Sequence, residues 1–370
     1  MEKYQIITFQ SLFYLVIFLF IIVVNASTDN KLEKHGVKLF VFGDSYADTG
    51  NSKKHTVSWK PPYGITFPGK PAGRFSDGRV LTDYIASFLG IKSPVAYREI
   101  KGVEKWKVSK YGMNFAFGGT GVFDTMEKEP NMSTQINFFE DVLRENDFYS
   151  KQDLNSSLAL VSIAGNDYGA YLSKGTNNIN SMEGLANLTT SIIDQLVANV
   201  RRIQKLGVRK IAVTALEPLG CLPPFTASSS FQNCSQIFNS VSDFHNQILH
   251  QKLQALNNQT SSLSNSLPIL VLDLHTTFMS AFENLKKNIT ATATTAGNLR
   301  VESPLIMKPC CVGISKEYSC GSLDENGAKK YSVCKNPELS FFWDMIHPSQ
   351  NGWSAVFSGL RSSLHNLIIN

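Results

Sequence analysis

A serine hydroxyl becomes a nucleophile when a base can take its proton and a carboxylate holds that base in place. The sequence carries candidates for each part. Ser45 stands in Phe42-Gly43-Asp44-Ser45-Tyr46, directly after a short apolar run. Asp344 and His347 are three residues apart in Asp344-Met345-Ile346-His347-Pro348. At that spacing the carboxylate reaches the imidazole within one tight turn, fixes its tautomer and stabilises the imidazolium. Asn166, in Gly165-Asn166-Asp167-Tyr168, offers a side-chain amide to a developing oxyanion. The run Asn114-Phe115-Ala116-Phe117-Gly118-Gly119-Thr120-Gly121 supplies glycines that let a backbone N–H come close to a reacting oxygen. Each motif alone has a plainer reading: Gly-Asp-Ser is a common turn, and an Asp and a His meet by chance in surface loops. Occurring in this order, with the Ser, Gly and Asn motifs each placed after a strand-like segment, they point to acyl transfer through Ser45.

Such residues need a scaffold that brings distant motifs to one edge. Residues 38–43, 158–165, 209–216 and 267–274 are short apolar runs that read as buried parallel strands, and 112–116 is a weaker candidate. Helical periodicity fills the intervals at 80–89, 134–143 (with Ser133 as N-cap), 185–206 (closed by Gly207), 235–256 and 352–368. Strands alternating with helices predict an α/β fold: three α/β/α layers around a mostly parallel five-stranded sheet. The site should then lie beyond the carboxyl ends of the strands. Residues 50–78 and 297–340 read as long loops, and no linker or repeat divides residues 27–370, which are expected to form one domain.

The N-terminus has the pattern of a signal peptide over residues 1–26: Lys3, an unbroken apolar run at 12–24, and the small-residue site Val24-Asn25-Ala26. The run is short for a membrane span, so no integral membrane association is expected after its removal. The expected location is extracellular, at the cell wall, with the vacuole as the alternative. In an oxidising compartment the six cysteines favour disulfides. Cys221 and Cys234 form the natural local loop. Cys310 and Cys311, being adjacent, would pair with Cys320 and Cys334, in an order left open. Sequons stand at Asn131, Asn155, Asn187, Asn233, Asn258 and Asn288, in a chain so rich in Asn, Ser and Thr that they add little to the case for secretion. The formal charge of +5 is spread along the chain, so no nucleic-acid partner is expected. There is no C-x-x-C zinc pair, Walker motif, dinucleotide fingerprint or Gly-x-Ser-x-Gly elbow.

Set side by side, the segments FVFGDSYADTGN, PYG, GRFSDGR, GMNFAFGGTG, GNDY, LGVRKIAVTALEPLGCLP and FFWDMIHPSQNGW resemble the plant GDSL esterase/lipase branch of the SGNH hydrolases. The resemblance runs from about residue 40 to the C-terminal helix. It implies a flavodoxin-like α/β/α fold, no metal or cofactor, and an acyl ester as substrate: a lipid, an acetylated polysaccharide or an acylated metabolite. It implies Ser45 as nucleophile and oxyanion donor, and His347 and Asp344 as base and partner. It further implies Gly118, beside Gly119, as a second donor through its backbone N–H, and Asn166 as a third. Tyr46 departs from the pattern, standing where the name-giving motif has Leu. Phe117 and Thr120 replace small residues, and Glu217 falls in a segment that is usually apolar. Asp44, Asp48 and Asn51 read as turn-stabilising, Arg74 and Asp77 as ordering the nearby loop, and His245, His250 and His275 as structural. An acyltransferase using the same acyl-enzyme, or a catalytically silent binding protein, are the alternatives.

Overall fold

The computed structural model describes residues 37–173, 182–261, 269–295 and 306–369. The expected signal peptide, residues 1–26, lies outside them. The sheet is built on β1 (Leu39–Gly43), an apolar strand buried along its whole length, as a strand covered on both faces must be. β1 pairs in parallel with β3 (Gly112–Asn114) on one side and β4 (Leu158–Ser162) on the other. β5 (Lys210–Thr214) and β6 (Leu270–Leu272) continue from β4, and β2 (Val95–Ala96) adds an edge beyond β3, giving the order β2-β3-β1-β4-β5-β6. The sheet therefore has six strands where the sequence reading expects five. The unforeseen strand is two residues long, too short to show a pattern. Chain order reverses across β1, so its carboxyl end faces the crevice where α/β sheets bind ligands.

Helices flank this sheet in two groups. α3 (Met132–Glu145), α6 (Met182–Lys205) and α7 (Gln236–Ser261) pack together, as do α1 (Leu81–Phe88), α8 (Leu274–Thr295) and α9 (Gln350–Ile369). Shorter helices are α2 (Lys105–Tyr111), α4 (Lys151–Ser156) and α5 (Gly165–Ser173). α3 starts earlier than expected. Asn131, not Ser133, is its N-cap and accepts the Thr134 N–H at 3.0 Å, while the Ser133 hydroxyl turns to Asn199. α8 was not expected: the predicted strand 267–274 stops at Leu272, and Asp273 accepts the Thr276 N–H at 2.9 Å to start a helix.

The expected loop at 297–340 contains a small antiparallel hairpin, β7 (Cys311–Gly313) and β8 (Tyr331–Val333). The disulfides are Cys221–Cys234, Cys310–Cys334 and Cys311–Cys320. The last two close a satellite core in which Tyr63, Tyr331 and Trp343 pack against the cystines. Among the described residues no helix is long and apolar enough to cross a membrane.

Candidate active site

β1 ends at Gly43, where no side chain fits: a Cβ would stand 2.3 Å from the Ser162 carbonyl oxygen of β4. The Gln135 side chain of α3 holds both backbone groups of Gly43, accepting its N–H at 2.8 Å and donating to its carbonyl at 2.9 Å. The chain then turns, with the Asp44 N–H donated to Ser162 and the Asp44 carboxyl accepting the Tyr46 N–H at 3.0 Å. Ser45 is presented on this turn. Its Oγ lies 2.8 Å from His347 Nε2. His347 Nδ1 lies 2.8 and 2.9 Å from the two Asp344 carboxylate oxygens. Residues 302 positions apart in sequence thus meet in a continuous Ser–His–Asp relay.

The loop carrying Asp344 and His347 is built to hold that geometry. Asp344 Oδ1 accepts the backbone N–H groups of Ile346 and His347, each at 2.8 Å. The Tyr63 hydroxyl donates to Asp344 Oδ2 at 2.6 Å. Burial alone would raise the Asp344 carboxyl. The His347 imidazole, its hydrogen bond, and those from Tyr63 and Ile346 bring it below the ordinary carboxylate value, so it stays ionised. Trp343 donates its N–H to the His347 carbonyl at 2.8 Å, and Cys310 and Cys311 donate theirs to the Phe342 and Trp343 carbonyls. The cystine core therefore grips the segment leading into Asp344. Phe75 covers the imidazole, with ring centroids 5.0 Å apart. Tyr63 and Phe75 lie in the PYG and GRFSDGR segments, where residue type alone gives no sign of contact with Asp344 or His347.

Asn166 opens α5, just past β4. One N–H of its amide donates to the Thr120 carbonyl at 2.9 Å, no hydrogen bond among the described residues takes up the other, and the residue lines a cavity with Ser45. Two residues before it, Ala164 has φ of 149°, a conformation that costs a residue with a Cβ and is typical of functional turns. Asp167 ties the two loops together by accepting the Val122 and Phe123 N–H groups at 2.8 and 2.9 Å. Burial still raises its carboxyl to about 6.

The glycine motif requires a correction. The Gly118 N–H, expected to face the oxyanion, is already donated to the Asp48 carboxylate at 3.0 Å and the Ser52 hydroxyl at 3.1 Å. Asp48 accepts in addition the N–H groups of Gly50, Asn51 and Ser52, so it draws the Gly118 amide into its own turn. Gly119, at φ of 80°, turns the chain the other way, through a region that favours glycine. No hydrogen bond among the described residues takes up the Gly119 or Ser45 amide.

The neighbouring polar residues mostly build turns. Asn51 donates to the carbonyls of Asn114 and Ala116, and Asn114 donates back to Ala47. Arg74 forks onto Asp83 of α1 with two contacts of 2.8 Å, and Asp77 accepts the Gln350 N–H at the start of α9. His245 is buried against the Tyr168 hydroxyl at 2.9 Å, and burial lowers it to about 3. His250 is exposed. His275 lies 3.5 Å from Asp243. Among the described residues no three His, Cys, Asp or Glu side chains are grouped to hold a metal ion.

Comparison with known proteins agrees with this geometry. The model of the GDSL-like lipase/acylhydrolase family matches residues 39–360. The chain belongs to that family. An Arabidopsis thaliana GDSL esterase/lipase is 52% identical over 88% of this chain and 86% of its own length. A second from that plant is 47% identical over 88% of each. Acetylajmalan esterase 2 of Rauvolfia serpentina is 29% identical over 84% of this chain and 85% of its own. The protein is accordingly a carboxylic ester hydrolase.

In this hydrolase a cavity of about 460 Å³ opens beside Ser45. Its walls are mainly apolar, from α5 and from the segments after β5 and β6, with Leu172, Leu222, Phe225 and Leu274 among them. Two of the departures from the family pattern meet there. The Tyr46 hydroxyl donates to the Ile346 carbonyl at 3.0 Å, and Glu217 lines the same cavity beside it. Burial lifts Glu217 to about 7, against its own backbone N–H, the charge of His347 and the Tyr46 hydroxyl. Asp44 is raised well above the carboxylate range, first by burial and then by the charges of Glu217 and Asp167, with the Tyr46 N–H opposing.

Proposed function

We propose that the hydrolase works through a covalent acyl-enzyme on Ser45. His347 takes the hydroxyl proton, and Ser45 Oγ attacks the acyl carbon. The carbonyl oxygen becomes an oxyanion between the Ser45 N–H, the Gly119 N–H and the free N–H of Asn166. His347 then protonates the departing alcohol, and water, activated by the same imidazole, releases the acid. Asp344 holds the imidazole and balances its charge. The observation that carries this reading is the relay itself, with Ser45 Oγ to His347 Nε2 at 2.8 Å and Nδ1 to Asp344 at 2.8 Å.

The apolar cavity suits an acyl chain or ring of moderate size. Export through the secretory pathway to the cell wall or vacuole is part of the proposal. It is supported by the apolar run at 12–24 and by cysteines that are all in disulfides among the described residues. The sequons Asn155, Asn187, Asn233 and Asn258 are exposed and open to glycosylation. Asn131 is half-buried in the cap of α3, and the Asn288 side chain lies outside the described residues. A fluorophosphonate probe should label Ser45 in the folded protein, and Ser45→Ala should lose both labelling and turnover of p-nitrophenyl butyrate. Undiminished hydrolysis by Ser45→Ala would overturn the mechanism.

A further inference from the structure

Glu217 is a carboxyl group in a place where the reaction needs none. It follows β5, is 7% exposed, and lines the cavity together with Ser45, Tyr46 and Asn166. Its Oε1 lies over the bare Cα of Gly165, 3.2 Å from where a Cβ would stand. The Tyr46 hydroxyl has one proton, and the Ile346 carbonyl that receives it can only accept. That proton is therefore directed at Ile346, and the Glu217 oxygens are left to face the cavity. Burial beside Asp44 favours the neutral form of Glu217. A neutral carboxyl keeps its carbonyl oxygen as an acceptor. On a wall otherwise supplied by side chains such as Leu222 and Phe225, that oxygen is a costly group to cover with a hydrocarbon.

We propose that Glu217 is a specificity-determining residue that accepts a hydrogen bond from an alcoholic or phenolic hydroxyl carried by the ester, so that the preferred substrates are hydroxylated esters. The inference rests on the hydrolytic reading of Ser45 and adds the chemistry of the substrate. The hydroxyl can belong to the acyl part or to the alcohol part, and paired substrates separate the two. One pair is p-nitrophenyl phenylpropanoate and its para-hydroxyphenyl counterpart. The other is hexyl acetate and hexanediol monoacetate.

The expected result is a kcat/KM about tenfold or more higher for the hydroxylated member of one pair. Glu217→Leu should bring that ratio close to one. Glu217→Gln should keep it, because the amide oxygen can still accept from the substrate. No preference by the unaltered enzyme in either pair would overturn the inference, and this needs no variant to fold. A preference that survives Glu217→Leu would overturn it as well. So would a preference for an ester bearing a quaternary ammonium that is lost in Glu217→Gln, because it would make Glu217 an ionised cation site. Fluorophosphonate labelling of Ser45 alongside these assays separates this failure from failure of the acyl-enzyme itself.

Discussion

Asp344 receives hydrogen bonds from two backbone amides, from Tyr63 and from the imidazole it orients, so little about its position is left to chance. An amide cannot balance the imidazolium and invites the wrong His347 tautomer. Asp344→Asn should therefore lower kcat by on the order of 10⁴-fold, by analogy with other serine triads, while the fold persists. Tyr63→Phe leaves the carboxylate in place but frees one oxygen. Losing a hydrogen bond to a charged group costs about 1.5–3 kcal/mol, so a fall in kcat of roughly ten- to a hundredfold, still far milder than for Asp344→Asn, is expected from steady-state kinetics. Asn166→Ala removes the donor proposed to face charge that develops in the transition state. It should cost about a hundredfold in kcat with KM little changed, and a loss confined to KM would remove Asn166 from the oxyanion site.

At the scale of elements, the site is the end of β1 flanked by the loops after β3 and β4, with the Asp344 loop folded over it. Much of this was legible because buried parallel strands are continuous apolar runs, as within residues 38–43 and 158–165, the first of which stops at Gly43. The edge strand Val95–Ala96 had too few residues to form a pattern, and α8 was hidden because its first turn completes an apolar run. That Ser45, Asp344 and His347 would meet, with Asn166 lining the same cavity, was readable from residue type and order. That the Gly118 amide is already taken was not, since which amide is free depends on the reach of Asp48, 70 residues away. Tyr63 and Phe75 were equally hidden, because a loop has no periodicity to report what its side chains touch. The cystines carry a consequence at this scale. Cys310–Cys334 anchors the segment that passes its backbone hydrogen bonds to Phe342 and Trp343. Replacing both cysteines by serine should cost about 2–4 kcal/mol of stability. It should also lower kcat at temperatures where the protein is still folded, because Asp344 loses its support. Full activity in a folded variant would show that the Tyr63 contact suffices.

For the molecule as a whole, the buried carboxyls around the site set a pH dependence of stability. Glu217 is raised from 4.5 to about 7 and Asp167 from 3.8 to about 6, and Asp44 is raised as well. Each holds a proton in the folded state that the unfolded chain has already released. Between about pH 4.5 and 7, rising pH therefore favours unfolding, by up to ~1.4 kcal/mol per pH unit for each group. His245 acts in the opposite sense. It is lowered from 6.5 to about 3, so below its ordinary value the unfolded chain binds a proton that the folded state refuses, and falling pH favours unfolding. Three carboxyls outweigh one imidazole in this window, and the thermal midpoint should be higher near about pH 5.5 than near about pH 8. Acidification below the ordinary carboxylate range reverses the trend, because Asp344 and Asp83, both lowered by their partners, must then be protonated. Calorimetric scans across that range test the balance, and Glu217→Gln should flatten the upper limb by removing one titrating group. A midpoint that climbs steadily from pH 5.5 to pH 8 would mean that the carboxyls beside Ser45 are ionised in the folded protein, and that the neutral Glu217 facing the cavity is wrongly assigned.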